Sequence, residues 1–184
     1  MSGLFMYSNE NNHAFIDGAN LHKGIEELGW KLDYARFRRW LSEKYRITQA
    51  YIFIGFIPNN KDLYNFLRTT GFTLVFKETT CDHAGKIKGN CDADLVLRAA
   101  AEYYEKKFDN AVIVASDGDY AGLVNFLKAR GVFRSLISPS NKCSFLLRKL
   151  NISIVYLDHK RSSLGYVQKE KAPGGDRTPR GSFS

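Results

Sequence analysis

Short runs of apolar and β-branched residues alternate with helical patterns along most of the chain, and this alternation constrains the fold more than any other feature. We predict six strands, at residues 13–17, 47–57, 72–77, 111–115, 132–137 and 152–157. Between them, apolar residues recur at helical spacing, at about 21–29, 34–45, 61–70, 92–107, 120–131 and 141–150. Strands that alternate with helices form parallel sheets with helices on both faces. The sequence therefore predicts an α/β fold of three layers, α/β/α, with a mostly parallel central sheet.

The order of the strands places two aspartates near each other. Asp17 ends the first predicted strand, and Asp117 follows the fourth. In doubly wound sheets these two strands lie side by side where the winding reverses, and ligands bind at that point. We therefore expect Asp17 and Asp117 to face each other across the crevice.

Acidic residues stand at three strand exits or helix starts. They are Asp17, the pair Asp92 and Asp94, and the pair Asp117 and Asp119. Carboxylates are the ligands that hard cations such as Mg²⁺ and Mn²⁺ prefer, so a cluster of them predicts a metal site. Each one alone is also a common helix cap. Because Asp92 and Asp94 point about 200° apart on a helix, only one of them should face the site, and we favour Asp92.

The composition predicts one domain between two flanking segments. We predict a flexible lead-in at residues 1–12, a folded domain at 13–158 and a disordered basic tail at 159–184, which is rich in glycine and proline. No run of about 18 apolar residues occurs, and the first residues lack the pattern of a signal peptide. We therefore predict a cytoplasmic protein with no membrane partner and with free thiols at its three cysteines.

The net charge of +8 favours a polyanionic partner, of which nucleic acid is the commonest. The predicted tail, with six basic and two acidic residues, carries half of this excess. Lys86 and Lys88 lie in a glycine-containing loop before the acidic helix, where they either bind RNA phosphates or are simply solvated. Cys81, His83 and Cys91 in the same region match no standard zinc spacing.

The three acidic segments resemble, in order, the signature blocks of the NYN domain family. This family is part of the PIN-like nuclease superfamily, and its LabA-like branch is the most similar one. The blocks are Phe15-Ile-Asp17-Gly-Ala-Asn20-Leu, Lys88-Gly-Asn-Cys-Asp92-Ala-Asp94-Leu and Ala115-Ser-Asp117-Gly-Asp119-Tyr. The resemblance covers about residues 14–158 and implies a PIN-like, Rossmann-like fold, a Mg²⁺ or Mn²⁺ site and RNA cleavage.

Carried over position by position, the resemblance implies a set of metal-binding and catalytic acids: Asp17, Asp92, Asp117 and Asp119, with Asp94 as the substitute for Asp92. It implies that Asn20 and Ser116 are polar supports of these carboxylates. Ser116 stands where glycine is common in the family.

Three functions remain open at this point. The first is a metal-dependent endoribonuclease that hydrolyses RNA phosphodiester bonds, and the full set of acids favours it. The second is a PIN-like module that binds RNA or a protein partner and cuts weakly or not at all. Whether the chain forms a homo-oligomer also stays open. The third is another phosphoryl-transfer or phosphatase-like enzyme, which the Asp117 and Asp119 pair alone would allow.

Overall fold

Strands and helices alternate in the computed structural model, which describes residues 10–77, 80–81, 87–88 and 91–167, with side chains at 10–77 and 92–167. The strands in these residues are β1 (Asn12–Asp17), β2 (Ile47–Gly55), β3 (Thr73–Lys77), β4 (Thr80–Cys81), β5 (Ile87–Lys88), β6 (Ala111–Val114), β7 (Phe133–Ser138) and β8 (Ile154–Tyr156). The α-helices are α1 (Gly18–Glu26), α2 (Tyr34–Tyr45), α3 (Lys61–Thr69), α4 (Cys91–Tyr104), α5 (Ala121–Ala129), α6 (Phe145–Arg148) and α7 (Arg161–Leu164). Short 3-10 helices lie at Pro58–Asn60, Gly118–Tyr120 and Asp158–Lys160.

Six of these strands form one parallel sheet in the order β3-β2-β1-β6-β7-β8. They correspond to the six predicted strands, while β4 and β5 pair separately as an antiparallel hairpin. The predicted pairing of the first and fourth strands is confirmed, since Ile16 of β1 lies opposite Val114 of β6. The loops that follow these two strands therefore leave the sheet at the same edge, which we call the carboxyl edge.

Helices cover both faces of the sheet, which confirms the predicted α/β fold. One hydrophobic core lies between the sheet and α1, α2, α3 and α7, and it includes Ile16, Leu21, Leu41, Leu67 and Leu164. The other core lies under α4, α5 and α6, and it includes Phe15, Leu95, Leu127 and Leu147. Consecutive residues of β1 enter opposite cores because side chains alternate along a strand, and both faces of a parallel sheet are buried.

Local capping explains where α2 lies. The Asp33 side chain accepts a hydrogen bond of 3.0 Å from the backbone N–H of Arg36, and Arg46 ends the helix with a φ of 56°. The Arg38 guanidinium donates to the carbonyl oxygens of Gly71 and Thr48, at the amino ends of β3 and β2. Arg38 therefore lies at the amino edge of the sheet, away from the acidic segments.

The helix after β7 begins later than predicted. A helix start at Ser140 or Asn141 is wrong, because Ser144 is the N-cap and α6 covers only Phe145–Arg148. Ser140 instead forms a turn, in which its carbonyl oxygen accepts a hydrogen bond from the Ser138 hydroxyl. The backbone N–H of Ser144 donates to the Ser116 carbonyl at 2.9 Å, which fastens the loop to the exit of β6 before the helix begins.

The folded chain continues past the predicted end of the domain. A disordered tail from residue 159 is wrong for the residues up to 165, since α7 packs over α2 and Leu164 is buried. The Leu164 carbonyl accepts a hydrogen bond of 2.8 Å from the backbone N–H of Asp33, and Gly165 forms an isolated bridge to Leu32. At the other end, Asn12 is already part of β1 and buried. Within the described residues, no helix is long and apolar enough to span a membrane.

Candidate acidic site at the carboxyl edge

Asp17 lies at the end of β1 and forms the buried base of the site. It is only 7% exposed, and its Oδ1 accepts a hydrogen bond of 3.0 Å from the backbone N–H of Asn20, so it also caps α1. Gly18 is required next because a Cβ there would overlap Ile54 and come within 2.8 Å of Ile52 Cγ2. The Asp-Gly sequence therefore lets α1 begin directly against β2, with the carboxylate held at the strand end.

The hydroxyl of Tyr120 joins Asp17 to Asp92. Tyr120 Oη lies 2.9 Å from Asp17 Oδ2 and 2.6 Å from Asp92 Oδ1, and the tyrosine is 0% exposed. A phenol has one hydrogen to donate, so it satisfies only one of these two carboxylates at a time. The two carboxylates therefore share one hydroxyl hydrogen, and the negative charge of Asp92 acts on Asp17.

The charges around Asp17 act in opposite directions on its pKa. Burial raises the pKa of Asp17, and the nearby charge of Asp92 raises it further. The hydrogen bonds from Asn20 and Tyr120 and the positive charge of Lys77 lower it, but they do not offset burial. Burial, followed by the charge of Asp17, also raises the pKa of Tyr120, so its hydroxyl remains a proton donor.

Asn20 and Ser116 connect the two loops that leave the adjacent strands. The backbone N–H and the hydroxyl of Ser116 donate to Asn20 Oδ1, at 2.9 and 3.0 Å. Both residues are partly buried. This double hydrogen bond fixes the start of α1 relative to the exit of β6, and with it the loop that carries Asp117.

Asp117 and Asp119 lie on the exposed side of the site. Asp117 caps the 3-10 helix at Gly118–Tyr120, where its Oδ1 accepts from the backbone N–H of Asp119 at 3.3 Å. Both carboxylates are exposed, whereas Gly118 between them is buried. A Cβ on Gly118 would come within 2.6 Å of Ser144 Oγ, so this loop packs closely against the start of α6.

The two acids at the start of α4 have different surroundings. Asp92 is partly buried and contacts the Tyr120 hydroxyl. Asp94 is exposed and lines a groove between α4 and β3, together with Arg98 and Glu102. Asp17 and Asp92 therefore meet at one hydroxyl group, with Asp117 and Asp119 exposed on the loop that leads to Tyr120, and Asp94 points elsewhere.

Two further residues belong to this site and were missed by sequence reasoning. Tyr120 lies in the helical pattern predicted at 120–131, and the sequence does not show that its hydroxyl is buried and bonds to Asp17 and Asp92. Lys77 ends β3 on the same face of the sheet as Asp17, and Gly55 of β2 lies opposite it in register. The sequence signal for Lys77 was its position at the end of the strand predicted at 72–77. Lys86 lies outside the described residues, as does the side chain of Lys88, and the same holds for the side chains of the three potential zinc ligands.

The donor set fits a hard divalent cation that keeps much of its water. In the described parts of the chain, no three Asp, Glu, His or Cys side chains lie close enough to enclose a metal ion. Mg²⁺ sites, however, usually consist of one or two carboxylates completed by waters and substrate phosphates. Asp17 and Asp92, which meet at the Tyr120 hydroxyl, supply two carboxylates of the kind that such a site uses.

The fold and the site define a doubly wound α/β protein with carboxylates at its topological switch point. The NYN domain family model matches residues 13–155 of this chain. The chain therefore belongs to the NYN domain family, which is a family of PIN-like nucleases, and the resemblance stated from its sequence is confirmed.

A solved structure supports the fold. The crystal structure of a protein of unknown function from Vibrio parahaemolyticus superposes with a TM-score of 0.71 at 19% sequence identity, over 90% of this chain and 100% of that one. At this identity the similarity concerns the fold alone. No curated protein matches the chain significantly.

Proposed function

We propose that this protein is a metal-dependent endoribonuclease that hydrolyses RNA phosphodiester bonds at the carboxyl edge of its sheet. The observation that carries the proposal is the meeting of Asp17 and Asp92 at the buried Tyr120 hydroxyl, beside two exposed carboxylates. Membership of a PIN-like nuclease family supports the same reaction class. Action on RNA in the cytoplasm, and a homo-oligomer or a protein partner, remain predictions.

Asp17 and Asp92 would hold a Mg²⁺ or Mn²⁺ ion, with Asp117 and Asp119, on the loop that leads to Tyr120, completing its surroundings. When bound, such an ion neutralises charge on the phosphodiester and lowers the pKa of a coordinated water. Tyr120 orients the carboxylates of Asp17 and Asp92 through its hydroxyl. Asn20 and Ser116 hold the two loops together, so the exposed acids keep their position relative to Asp17.

The exposed acids and Lys77 have separate tasks in this proposal. The carboxylate oxygens of Asp117 and Asp119 accept a hydrogen bond or a proton from the attacking water, because they are open to solvent at the edge of the site. Lys77 provides a positive charge on the same face of the sheet as Asp17, where it attracts a phosphate of the RNA backbone.

The test is cleavage of an end-labelled single-stranded RNA with Mn²⁺ or Mg²⁺, with an EDTA control. Wild type and Asp117→Asn are purified in parallel with Glu43→Gln, which removes an exposed charge on α2 instead. We expect cleavage by wild type and Glu43→Gln only, and none in EDTA. If Asp117→Asn cleaved as fast as wild type, Asp117 would not be part of the catalytic site. Cleavage in EDTA would show that the reaction needs no metal ion.

A second candidate is an RNA- or protein-binding module that cuts weakly or not at all. It is favoured by the observation that, in the residues described, only two carboxylates share a partner and no group of three could enclose a metal ion. RNA binding by wild type without cleavage in either metal would decide for this function.

A further inference from the structure

We infer that the RNA crosses the surface of α6 as a single strand, with one base stacked on Phe145. This inference rests on the proposed function and deepens it, because it names a binding surface outside the acidic site. We call Lys142, Phe145, Leu146, Arg148 and Lys149 the α6 surface. All five residues are exposed.

The α6 surface contains an apolar pair that the fold does not use. Phe145 is 67% exposed and Leu146 is 44% exposed, whereas the adjacent Leu147 is 0% exposed and belongs to the core. Leu147 therefore provides the contact of this short helix with the core. Phe145 and Leu146 are adjacent in the chain, and both present large apolar side chains to solvent.

This apolar pair lies directly beside the acidic site. A Cβ on Gly118 would come within 3.0 Å of Leu146 Cδ1 and within 2.6 Å of Ser144 Oγ. The backbone N–H of Ser144 donates to the Ser116 carbonyl at 2.9 Å, immediately before Asp117. The loop that carries Asp117 and Asp119 is thus packed against the start of α6, and in this inference an RNA held at the carboxylates extends over Phe145.

The charge of the α6 surface suits a polyanion. Residues 142–149 include three basic residues and no acidic one. Lys142 Nζ lies 3.3 Å from Glu27 Oε2, but its side chain is 73% exposed and remains open to solvent. Because the acidic site repels phosphates until a cation binds, positive charge beside it is needed to hold the RNA backbone.

The combination of an exposed aromatic ring with flanking cations is typical of single-strand binding. Bases of a single strand can stack on an aromatic side chain while lysine and arginine contact the backbone. In a duplex the bases are stacked on each other and paired, so none is free to stack on Phe145. A protein partner would also accept Phe145 and Leu146, but it would not require three cations beside an acidic site.

The first test measures binding of a fluorescent phosphorothioate oligoribonucleotide by anisotropy, with and without Mg²⁺. We expect Phe145→Ala to bind at least about fivefold more weakly, and Phe145→Trp to bind like wild type. Tyr104→Ala is the matched control, because Tyr104 is 68% exposed but lies at the far end of α4. The same RNA as a duplex should compete poorly. Equal binding by Phe145→Ala, or preference for the duplex, would overturn the inference.

The second test detects the contact itself. After ultraviolet cross-linking to the single strand, trypsin releases residues 143–148 as one peptide, since it cleaves after Lys142 and Arg148. We expect this peptide to carry a nucleotide in wild type and to lose it in Phe145→Leu. Cleavage by wild type with no nucleotide on this peptide would reject the α6 surface and retain the nuclease. In that case, concentration-dependent self-association lost in Phe145→Ala would identify the pair as a protein contact. If wild type neither binds nor cleaves RNA, the proposed function fails as well.

Discussion

A polar cluster lies at each end of the contact between β1 and α4. The two clusters differ in how many carboxylates one tyrosine hydroxyl contacts. The amino-end cluster is built on Glu102, which is 1% exposed. Tyr51 donates its hydroxyl to Glu102 Oε1 at 2.6 Å, and His13 Nδ1 lies 2.8 Å from Glu102 Oε2. The charge of Arg98 lies 3.6 Å from Oε1. Each oxygen of this carboxylate therefore has a partner of its own.

In the carboxyl-end cluster, one tyrosine hydroxyl contacts two carboxylates. There the Tyr120 hydroxyl is shared by Asp17 and Asp92, so two carboxylates have one hydroxyl hydrogen between them. Burial raises the pKa of Tyr51 to about 12, and it also raises that of Tyr120, so both phenols are donors at neutral pH. The comparison teaches that a tyrosine hydroxyl serves one carboxylate at the amino end and joins two carboxylates at the carboxyl end. We therefore expect Glu102 to be a structural acid, and we propose Asp17 as a metal ligand.

The largest effect should come from Asp17→Asn. Loss of a metal ligand should lower the cleavage rate at least about 1000-fold, beyond the 10–100-fold typical of residues that only support ligands. The free energy of unfolding should stay the same or rise, because the amide can donate to Tyr120 Oη, which then donates to Asp92. Single-turnover cleavage and urea unfolding measure the two quantities. A clear loss of stability would mean that Asp17 is a structural acid like Glu102.

Glu102→Ala should lower stability and leave cleavage unchanged, which is the reverse of the result expected for Asp17→Asn. Removing this buried carboxylate leaves Tyr51 and Arg98 without their partner and should lower the free energy of unfolding by about 3 kcal/mol. Glu105→Ala, an exposed position just past the end of α4, should change it by less than about 0.5 kcal/mol. Cleavage per folded molecule should be unaffected by either change. A loss of activity in folded Glu102→Ala would show that the amino-end cluster contributes to the reaction.

The smallest effects should separate the two tyrosines. Tyr120→Phe should reduce cleavage by about 10- to 100-fold, because the two carboxylates lose the group that orients them. Tyr51→Phe is the matched change at the other end, and it should cost only about 1 kcal/mol of stability with unchanged cleavage. Equal cleavage rates for the two variants would abolish the proposed distinction between the clusters.

The sheet and its acidic edge could be predicted from the sequence because both depend on local patterns. Apolar runs, such as 111–115, predicted all six strands of the main sheet, and the rule for doubly wound sheets predicted that the first and fourth strands lie side by side. Asp17 and Asp117 mark strand exits that any such order brings to one edge.

The partners across the site could not be predicted in the same way. Tyr120 meets Asp17 across 103 positions of the chain, and no periodicity encodes where a single hydroxyl points. The late start of α6 depends on a backbone hydrogen bond to Ser116, and the extra helix α7 depends on one leucine in a polar stretch. Both are tertiary effects that override local signals.

The packing of Leu164 has a practical consequence for anyone who shortens this chain. A version cut after Asp158 would lose the hydrogen bonds that Asp33 and Lys31 make with α7 and the residue after Gly165. It would also expose to water the part of α2 and of the core that Leu164 covers, and this apolar surface would promote aggregation. A shortened protein intended for crystals or assays should therefore extend at least to Val167, even though residues 159–167 look dispensable by composition.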